Sequence, residues 1–223
     1  MKAKNDFLTI LFIIALVFLT LTFSIGLPIY FRPFYYAQIK SFEATESGAY
    51  SYSQIKRAYD DILNYLTLPA QKFSSGELKF SESGAEHFKD CKVLFDLNLA
   101  VMAISAVTVI VLLILNGKKI ITLRSFKGLS PLFYGGAAAI TLPVILGGLI
   151  SADFEKAFLI FHKIFFPGKD NWTFDPQADE IINYMPEEFF MRCAILIGAA
   201  ILVISVSFIV YGIIMKRKNG KQL

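Results

Sequence analysis

The sequence lacks the short motifs that mark the common hydrolases, metalloproteases and nucleotide-binding proteins. None of G-x-S-x-G, H-E-x-x-H, the Walker loop or G-x-G-x-x-G occurs among its 223 residues. The H-x-x-x-x-D pattern of glycerolipid acyltransferases is also absent, because Lys92 and Pro167 stand five residues after the two histidines. The chain contains no internal repeat and no low-complexity tract. These absences leave the commonest nucleophile, zinc and phosphate-binding mechanisms without a supporting motif.

Histidine, cysteine and tryptophan are scarce. The chain has two histidines, two cysteines and one tryptophan. Two histidines are fewer than a typical catalytic zinc site uses, so we predict no metal site and no cofactor. Cys91 and Cys193 each lie near the end of an apolar run, where an oxidising compartment would permit a disulfide. A bridge and two separate thiols both remain open; separate thiols are the simpler interpretation, because sequence cannot show the required geometry.

Four stretches of the chain have no charged residue at all, namely residues 7–31, 97–117, 128–152 and 193–215. Each is long enough, at about 1.5 Å per helical residue, to cross a hydrocarbon core of about 30 Å. We therefore predict an all-α membrane protein with a single membrane domain over 1–223 and transmembrane helices at about 7–30, 94–116, 129–151 and 190–215. The first run is too long for a signal peptide and lacks a clear cleavage site, which favours a retained anchor.

Acidic residues are nearly absent from three segments: the amino terminus, the 116–127 loop and the tail after Met215. These segments hold ten Lys or Arg residues and one acid, Asp6, whereas the rest of the chain is net negative. By the positive-inside rule, both termini are predicted to be cytoplasmic, with an extracellular, mainly helical cap formed by 31–93 and 152–189. The overall basicity then reflects membrane topology, so it indicates no nucleic-acid partner.

The first cap segment contains one clear amphipathic helix at residues 53–66. Ser53 is its predicted N-cap, Pro69 its stop, and its apolar stripe consists of Ile55, Ala58, Tyr59, Ile62 and Leu66. Residues 73–81 fit either a short hairpin or a loop. Ser83 then opens a capping-box pattern that predicts a helix continuing into the second span. On that helix, His87, Asp90 and Cys91 share a face by their spacing.

Residues 153–192 organise the rest of the chain, because they combine His162, the single Trp172 and nine phenylalanine or tyrosine residues. Asp153 predicts the cap of a helix at 154–166, Asp175-Pro176 predicts a second short helix, and Pro186 suits the first turn of the fourth span. A loop that only joined two spans would not need so many large rings beside an imidazole. We interpret this stretch as one wall of an active site at the membrane surface.

The two histidines are the only side chains here that ordinarily titrate near neutral pH. His87 precedes the second span and His162 follows the third. Antiparallel packing of those spans would place both at the bilayer edge, which indicates proton transfer on an amphiphilic substrate. Packed, hydrogen-bonded histidines are the plainer alternative. Asp90 could orient an imidazole or simply neutralise a charge, and Cys91 one turn from His87 has poor geometry for a nucleophile pair.

Five short segments carry a resemblance to a known family: residues 87–90 (HFKD), 161–166 (FHKIFF), 172–176 (WTFDP), 179–182 (DEII) and 186–190 (PEEFF). Together with the span layout, they resemble a bacterial family of four-span membrane proteins that includes the lipoprotein intramolecular transacylases. The resemblance implies a plasma-membrane enzyme. Its expected reaction moves the sn-2 acyl chain of a diacylglyceryl-modified lipoprotein N-terminal Cys to that residue's α-amine.

The resemblance also implies the site, because the family's two catalytic histidines correspond to His87 and His162. The residues expected to support the site or position the substrate are Asp90, Phe161, Phe165, Trp172, Phe174 and Asp175. The sequence does not identify an oxyanion donor; the Trp172 indole N–H and a backbone amide are the two candidates. The expected partners are the diacylated lipoprotein and membrane lipid, and the sequence leaves the oligomeric state open.

Two other functions remain possible on the sequence alone. The first is a non-catalytic membrane adaptor whose cap binds a lipoprotein or another envelope protein. It predicts that replacing both histidines leaves partner capture intact. The second is a metal or haem site with His87 and His162 as paired ligands, which elemental analysis and an absorption spectrum would reveal.

Overall fold

The computed structural model describes residues 2–43 and 50–220, and in these ranges every regular element is helical, which confirms the all-α class. The helices are α1 (Lys2–Tyr30), α2 (Pro33–Tyr36), α3 (Ile39–Glu43), α4 (Tyr52–Thr67), α5 (Glu82–Gly117), α6 (Pro131–Ala152), α7 (Phe154–Phe165), a 3₁₀ helix (Glu180–Tyr184) and α8 (Glu187–Gly220).

Three helices are long and apolar enough to cross a membrane: α1, α5 and α8. Helices suit this role because a bilayer core offers no water to satisfy free backbone groups. Helix α5 has 36 residues, so it is about 54 Å long and exceeds the hydrocarbon thickness. Its charge-free part begins at Leu97, and the span predicted at 94–116 does not include His87, Asp90 or Cys91. The predicted span at 129–151 coincides with α6, but several of its side chains fall outside those described, and it stays a prediction.

The chain divides into two compact units. The span unit comprises Met1–Ile25, Leu99–Gly148 and Leu196–Leu223; the aromatic unit comprises Gly26–Asn98 and Leu149–Ile195. Within the span unit, small residues allow close helix packing. A Cβ atom on Gly136 would stand 2.7 Å from the Ser205 carbonyl oxygen, and one on Gly212 would stand 2.7 Å from the Phe133 Cβ.

The core of the aromatic unit forms around Tyr35, which is completely buried. Its ring stacks on Tyr59 at 3.7 Å, and its hydroxyl donates to the Tyr184 carbonyl at 2.9 Å. The apolar stripe predicted for α4 is confirmed, because all five of its side chains are buried. The predicted cap at Ser53 is wrong by two residues. Ser51 directly precedes α4, and the Ser51 backbone N–H donates to the Gln54 side chain at 2.9 Å.

Other predicted helix ends also differ in detail. Helix α5 begins directly after Ser81, whose hydroxyl accepts from the Gly84 N–H at 2.9 Å, so Ser81 and not Ser83 caps it. Residues 71–81 form a loop with no hairpin. Asp175 and Pro176 form a turn, and the short helix that follows is 3₁₀ and starts at Glu180. The predicted Asp153 cap is confirmed, since its carboxylate accepts from the Lys156 N–H at 2.9 Å.

Candidate active site

The two histidines lie side by side within the aromatic unit. His87 projects from the second turn of α5 and His162 from the last turn of α7, and their ring centroids are 5.8 Å apart. Both side chains are buried, with 5% and 7% of their surface exposed. The two imidazoles that the sequence was expected to bring into one site are therefore direct neighbours.

His162 is held by its own helix. Its Nδ1 atom lies 2.8 Å from the Phe158 carbonyl oxygen, which can only accept a hydrogen bond, so Nδ1 carries the proton. The ring stacks on Trp172 at 4.8 Å and packs on Phe158 at 4.3 Å between centroids. The unprotonated Nε2 is then the nitrogen that remains free to accept a proton.

His87 is enclosed mainly by aromatic rings. Phe166 lies 4.9 Å and Phe174 5.4 Å from its ring, both edge-on. Phe166 also lies 5.8 Å from the His162 ring and so contacts both imidazoles. It was not among the predicted site residues, although its position four residues after His162 at the end of the same helix was a usable signal.

Both imidazoles are neutral at neutral pH. Burial lowers the pKa of His87 from 6.5 to about 4, with a further decrease from neighbouring His162, while Asp90 and Asn171 oppose the shift. Burial also lowers the pKa of His162, partly offset by its hydrogen bond to the Phe158 carbonyl. Two neighbouring neutral imidazoles can each accept a proton, and mutual repulsion disfavours charging both at once.

The hydrogen bonds of the Asp90 carboxylate, among the described residues, go to Lys169 and Asn171, and it acts on His87 through its charge. It accepts from Lys169 Nζ at 2.5 Å and from Asn171 Nδ2 at 3.0 Å, and these bonds lower its pKa against the opposing effect of burial. Of the two roles left open by the sequence, neutralising a charge is therefore the one observed. Lys169 and Asn171 lie in the loop after α7, and no sequence signal linked them to the site.

The predicted aromatic residues divide by their contacts. Trp172, Phe174 and Phe161 adjoin an imidazole, with Phe161 at 5.4 Å from the His162 ring, whereas Phe165 is half exposed and packs on Phe161 at 4.6 Å. Asp175 closes the following turn by accepting from the Gln177 N–H at 2.9 Å.

The Trp172 indole N–H is already engaged, because it donates to the Lys169 carbonyl oxygen at 2.9 Å. In this arrangement the hydrogen bond leaves the indole N–H unavailable as an oxyanion donor. The indole instead provides a flat surface against which His162 stacks. A backbone amide remains the other donor that the sequence suggested.

Cys91 and Cys193 are both free thiols. The Cys91 Sγ lies 3.4 Å from His87 Nε2, so the expectation of poor Cys–His geometry on one helix is wrong. Burial nevertheless raises the pKa of the Cys91 thiol to about 12. A thiol that keeps its proton is not a nucleophile, and Cys91 acts here as a weak hydrogen-bond donor to the ring.

Metal-ligating side chains do not cluster in residues 2–43 and 50–220, where no group of three His, Cys, Asp or Glu could hold an ion. The His pair therefore stands with aromatic, amide and thiol neighbours. Such an arrangement can perform acid–base chemistry on a substrate that brings its own nucleophile.

The depressed pKa of His87 predicts a loss of stability in acid. Between about pH 6.5 and 4, the unfolded chain binds a proton that the folded chain rejects, so the free energy of unfolding falls as pH falls. At about 1.4 kcal/mol per pKa unit, the loss reaches up to about 3 kcal/mol. Apparent melting temperatures in detergent should therefore drop across this window. A His87→Leu protein should drop less, and equal drops in both would contradict the assignment.

Comparison with known proteins identifies the family of the chain. A family model described as the lipoprotein intramolecular transacylase Lit matches residues 10–190. The structure of the membrane-integral lipoprotein intramolecular transacylase Lit from Bacillus cereus is similar, with a TM-score of 0.87 and 26% identity over 99% of this chain and 100% of that one. A histidine-to-arginine variant of that enzyme matches with a TM-score of 0.79 and 26% identity, covering 100% of this chain and 96% of the other.

No match was found among curated protein sequences. The family match nevertheless extends over most of the chain and includes both histidines, and the structural match covers nearly all of it. The chain therefore belongs to the lipoprotein intramolecular transacylase family, and it is a membrane-integral acyltransferase that acts on lipoproteins.

Proposed function

We propose that the protein transfers the sn-2 acyl chain of a diacylglyceryl-modified lipoprotein N-terminal Cys to the α-amine of that same residue. The product is an N-acyl, S-monoacylglyceryl lipoprotein, the lyso form. The observation that carries the proposal is the pair of buried, neutral imidazoles with ring centroids 5.8 Å apart, enclosed by aromatic side chains. This geometry suits acid–base catalysis on an amine and an ester held together.

The reaction needs no nucleophile from the enzyme, because amine and ester already belong to one substrate molecule. The side chains around the two histidines agree with this. Cys91 is the thiol in contact with His87, and its pKa of about 12 keeps it protonated. A Cys–His acyl-enzyme mechanism is therefore disfavoured.

The two imidazoles account for every proton in the reaction. The substrate amine has an ordinary pKa near 8 and arrives as an ammonium ion. One neutral imidazole accepts its first proton and passes it to water, and the free amine then attacks the ester carbonyl. The second imidazole accepts the remaining proton from nitrogen as the amide forms. The glyceryl C–O bond then breaks and that imidazolium protonates the leaving oxygen, so only one ring is charged at a time.

The different pKa values of the two rings suggest their roles. Burial lowers the pKa of His87 to about 4, so its charged form is a stronger acid than an ordinary imidazolium, and we assign it the protonation of the leaving glyceryl oxygen. His162 loses some basicity to burial but keeps the support of the Phe158 carbonyl, so we assign it removal of the amine proton.

The aromatic enclosure would supply the positioning that a flexible substrate requires. Fixing amine and ester in one reactive geometry can contribute on the order of 7–11 kcal/mol. Trp172, Phe166 and Phe174 flank the imidazoles. The outer face of α7 exposes Ile164 and Phe165, at 65% and 49% of their surface, which suits contact with acyl chains.

The proposed topology follows the charge distribution. Helix α6 would be a fourth transmembrane span beside α1, α5 and α8 in the bacterial plasma membrane. Both termini would be cytoplasmic, and residues 31–93 and 152–189 would form an extracellular cap. The histidines would then face the compartment in which lipoproteins are displayed.

Mass spectrometry of lipoprotein N-termini in cells with and without this chain tests the proposal. Cells that express it should convert diacylated N-termini to the N-acyl, S-monoacylglyceryl form, and cells that lack it should not. Unchanged N-termini with intact lipoprotein capture would contradict the proposal and favour the adaptor function.

A further inference from the structure

Asn171 is fixed in one orientation beside His87. Its Nδ2 atom donates to Asp90 Oδ2 at 3.0 Å, and Asp90 Oδ1 accepts from Lys169 Nζ at 2.5 Å. Turning the amide over would place its oxygen against the carboxylate, which is electrostatically unfavourable. The ion pair between Lys169 and Asp90 therefore leaves the Asn171 Oδ1 oxygen available to accept a hydrogen bond.

Two complementary atoms in this region have no conventional hydrogen-bond partner. Among the described residues of the aromatic unit, they are the buried His87 Nδ1 and the buried Asn171 Oδ1. The Asn171 amide favours the charged form of His87, so the two groups interact even though they do not form a standard hydrogen bond. Buried polar atoms left without partners are costly, and each is the natural partner of the other.

The opposite side of the imidazole gives an independent constraint. His87 Nε2 lies 3.4 Å from Cys91 Sγ, whose raised pKa keeps it as a thiol. The thiol S–H can donate to an unprotonated Nε2, and the amide oxygen can accept only from a protonated Nδ1. Both neighbours therefore favour the same tautomer. An S–H donor is weak, so a substrate group can displace it from Nε2.

We infer that Asn171 is a positioning residue that holds the His87 ring with its proton on Nδ1 and so presents Nε2 to the substrate. Lys169 and Asp90 act indirectly, by holding the Asn171 amide in its orientation. His162 is held in the corresponding form through the Phe158 carbonyl, so both rings present Nε2. The inference rests on the proposed role of His87 for its catalytic meaning, but the tautomer is a property of the folded protein itself.

The charged groups around His87 come from three elements. Asp90 on α5 favours the protonated ring, while His162 on α7 and Lys169 on the following loop oppose it. Cys91, also on α5, stays uncharged. A carboxylate in place of the Asn171 amide would add a negative charge beside Nδ1. It should raise the pKa of His87 and make its imidazolium a weaker acid.

Nitrogen-15 NMR with labelled histidine tests the inference, because two histidines give only two sets of ring signals. Purified protein in micelles should show His87 protonated at Nδ1. Asn171→Ala should mix the tautomers and lower kcat about tenfold or more with little change in KM. Asn171→Asp should keep the Nδ1–H form, raise the His87 pKa by at least one unit and move the acid limb of the rate profile upward.

The matched control is Asn183→Ala. Asn183 lies in the same unit and also donates through its side-chain amide, to the Pro176 carbonyl at 3.1 Å. That hydrogen bond does not involve either imidazole. This variant should keep the wild-type tautomer, pKa and kcat. His87 protonated at Nε2 in the wild type, or an unchanged tautomer and pKa in both Asn171 variants, would overturn the inference. Transacylation that survives His87→Ala would instead refute the catalytic role proposed for His87 and leave the tautomer assignment standing.

Discussion

Replacing His162 with alanine is expected to lower the rate of lyso-lipoprotein formation by about 10²–10⁴-fold, the range typical of a lost general acid or base. The ring is buried, its Nδ1 is held by the Phe158 carbonyl at 2.8 Å, and its free nitrogen is the one we assign to the amine proton. Product formation from a synthetic diacylated lipopeptide, followed by mass spectrometry at saturating substrate, measures the effect. His162→Asn should be similarly slow, because an amide can replace the Nδ1–H donor but cannot accept a proton at neutral pH.

Lys163→Ala is the matched control for this prediction. Lys163 is the next residue on the same helix, and its side chain is exposed. Replacing it with alanine makes a change to α7 comparable to that of His162→Ala, but leaves the imidazole pair untouched. It should react at close to the wild-type rate. A His162→Ala protein that is folded and converts substrate at the wild-type rate would remove His162 from the mechanism.

The second large effect is expected from Gly84→Ala, which should destabilise the protein and impair the site together. A Cβ atom here would collide with the Asp179 carboxylate and approach Phe174 Cε1 at 3.1 Å. That carboxylate cannot turn aside easily, since it accepts from the Ser81 N–H at 2.8 Å and from the Ser81 hydroxyl. Overpacking of this kind costs about 1–3 kcal/mol.

The same collision would reach the catalytic rings, because Phe174 packs against His87 at 5.4 Å. Gly84→Ala should therefore lower the apparent melting temperature by several degrees and reduce kcat as well. Gly198→Ala serves as its control. A Cβ atom at that helical position meets no atom within 4 Å, so alanine should be neutral or slightly stabilising. Equal melting temperatures for the two variants would show that the contact between α5 and Asp179 is not rigid.

The apolar runs predicted the long helices because a bilayer admits few other structures. They also allowed the His pair to be predicted, since His87 and His162 flank two runs joined by a short loop. Helix starts were less predictable. Ser81 and Ser83 both fit a cap, and the Asp179 carboxylate, 98 residues further along the chain, binds Ser81. Local sequence contains no information about that contact.

The polar surroundings of His87 were the least predictable part of the site. Asn171 meets Asp90 across 81 residues, and its own neighbours indicate only a turn. Cys91 was expected to have poor geometry toward His87, yet one helical turn brings its sulfur to 3.4 Å. Such contacts depend on how α5, α7 and the loop after α7 pack, and pattern and propensity do not specify that packing.

The most direct test of the central claim uses purified protein and two diacylated lipopeptides, one of them isotopically heavy in both its peptide and its sn-2 acyl chain. The account predicts that the wild type yields only heavy–heavy and light–light N-acylated products. A protein with both His87 and His162 replaced by alanine should yield almost none in the same time. Crossed heavy–light products from the wild type, or wild-type rates from the doubly substituted protein, would contradict intramolecular transfer by the imidazole pair.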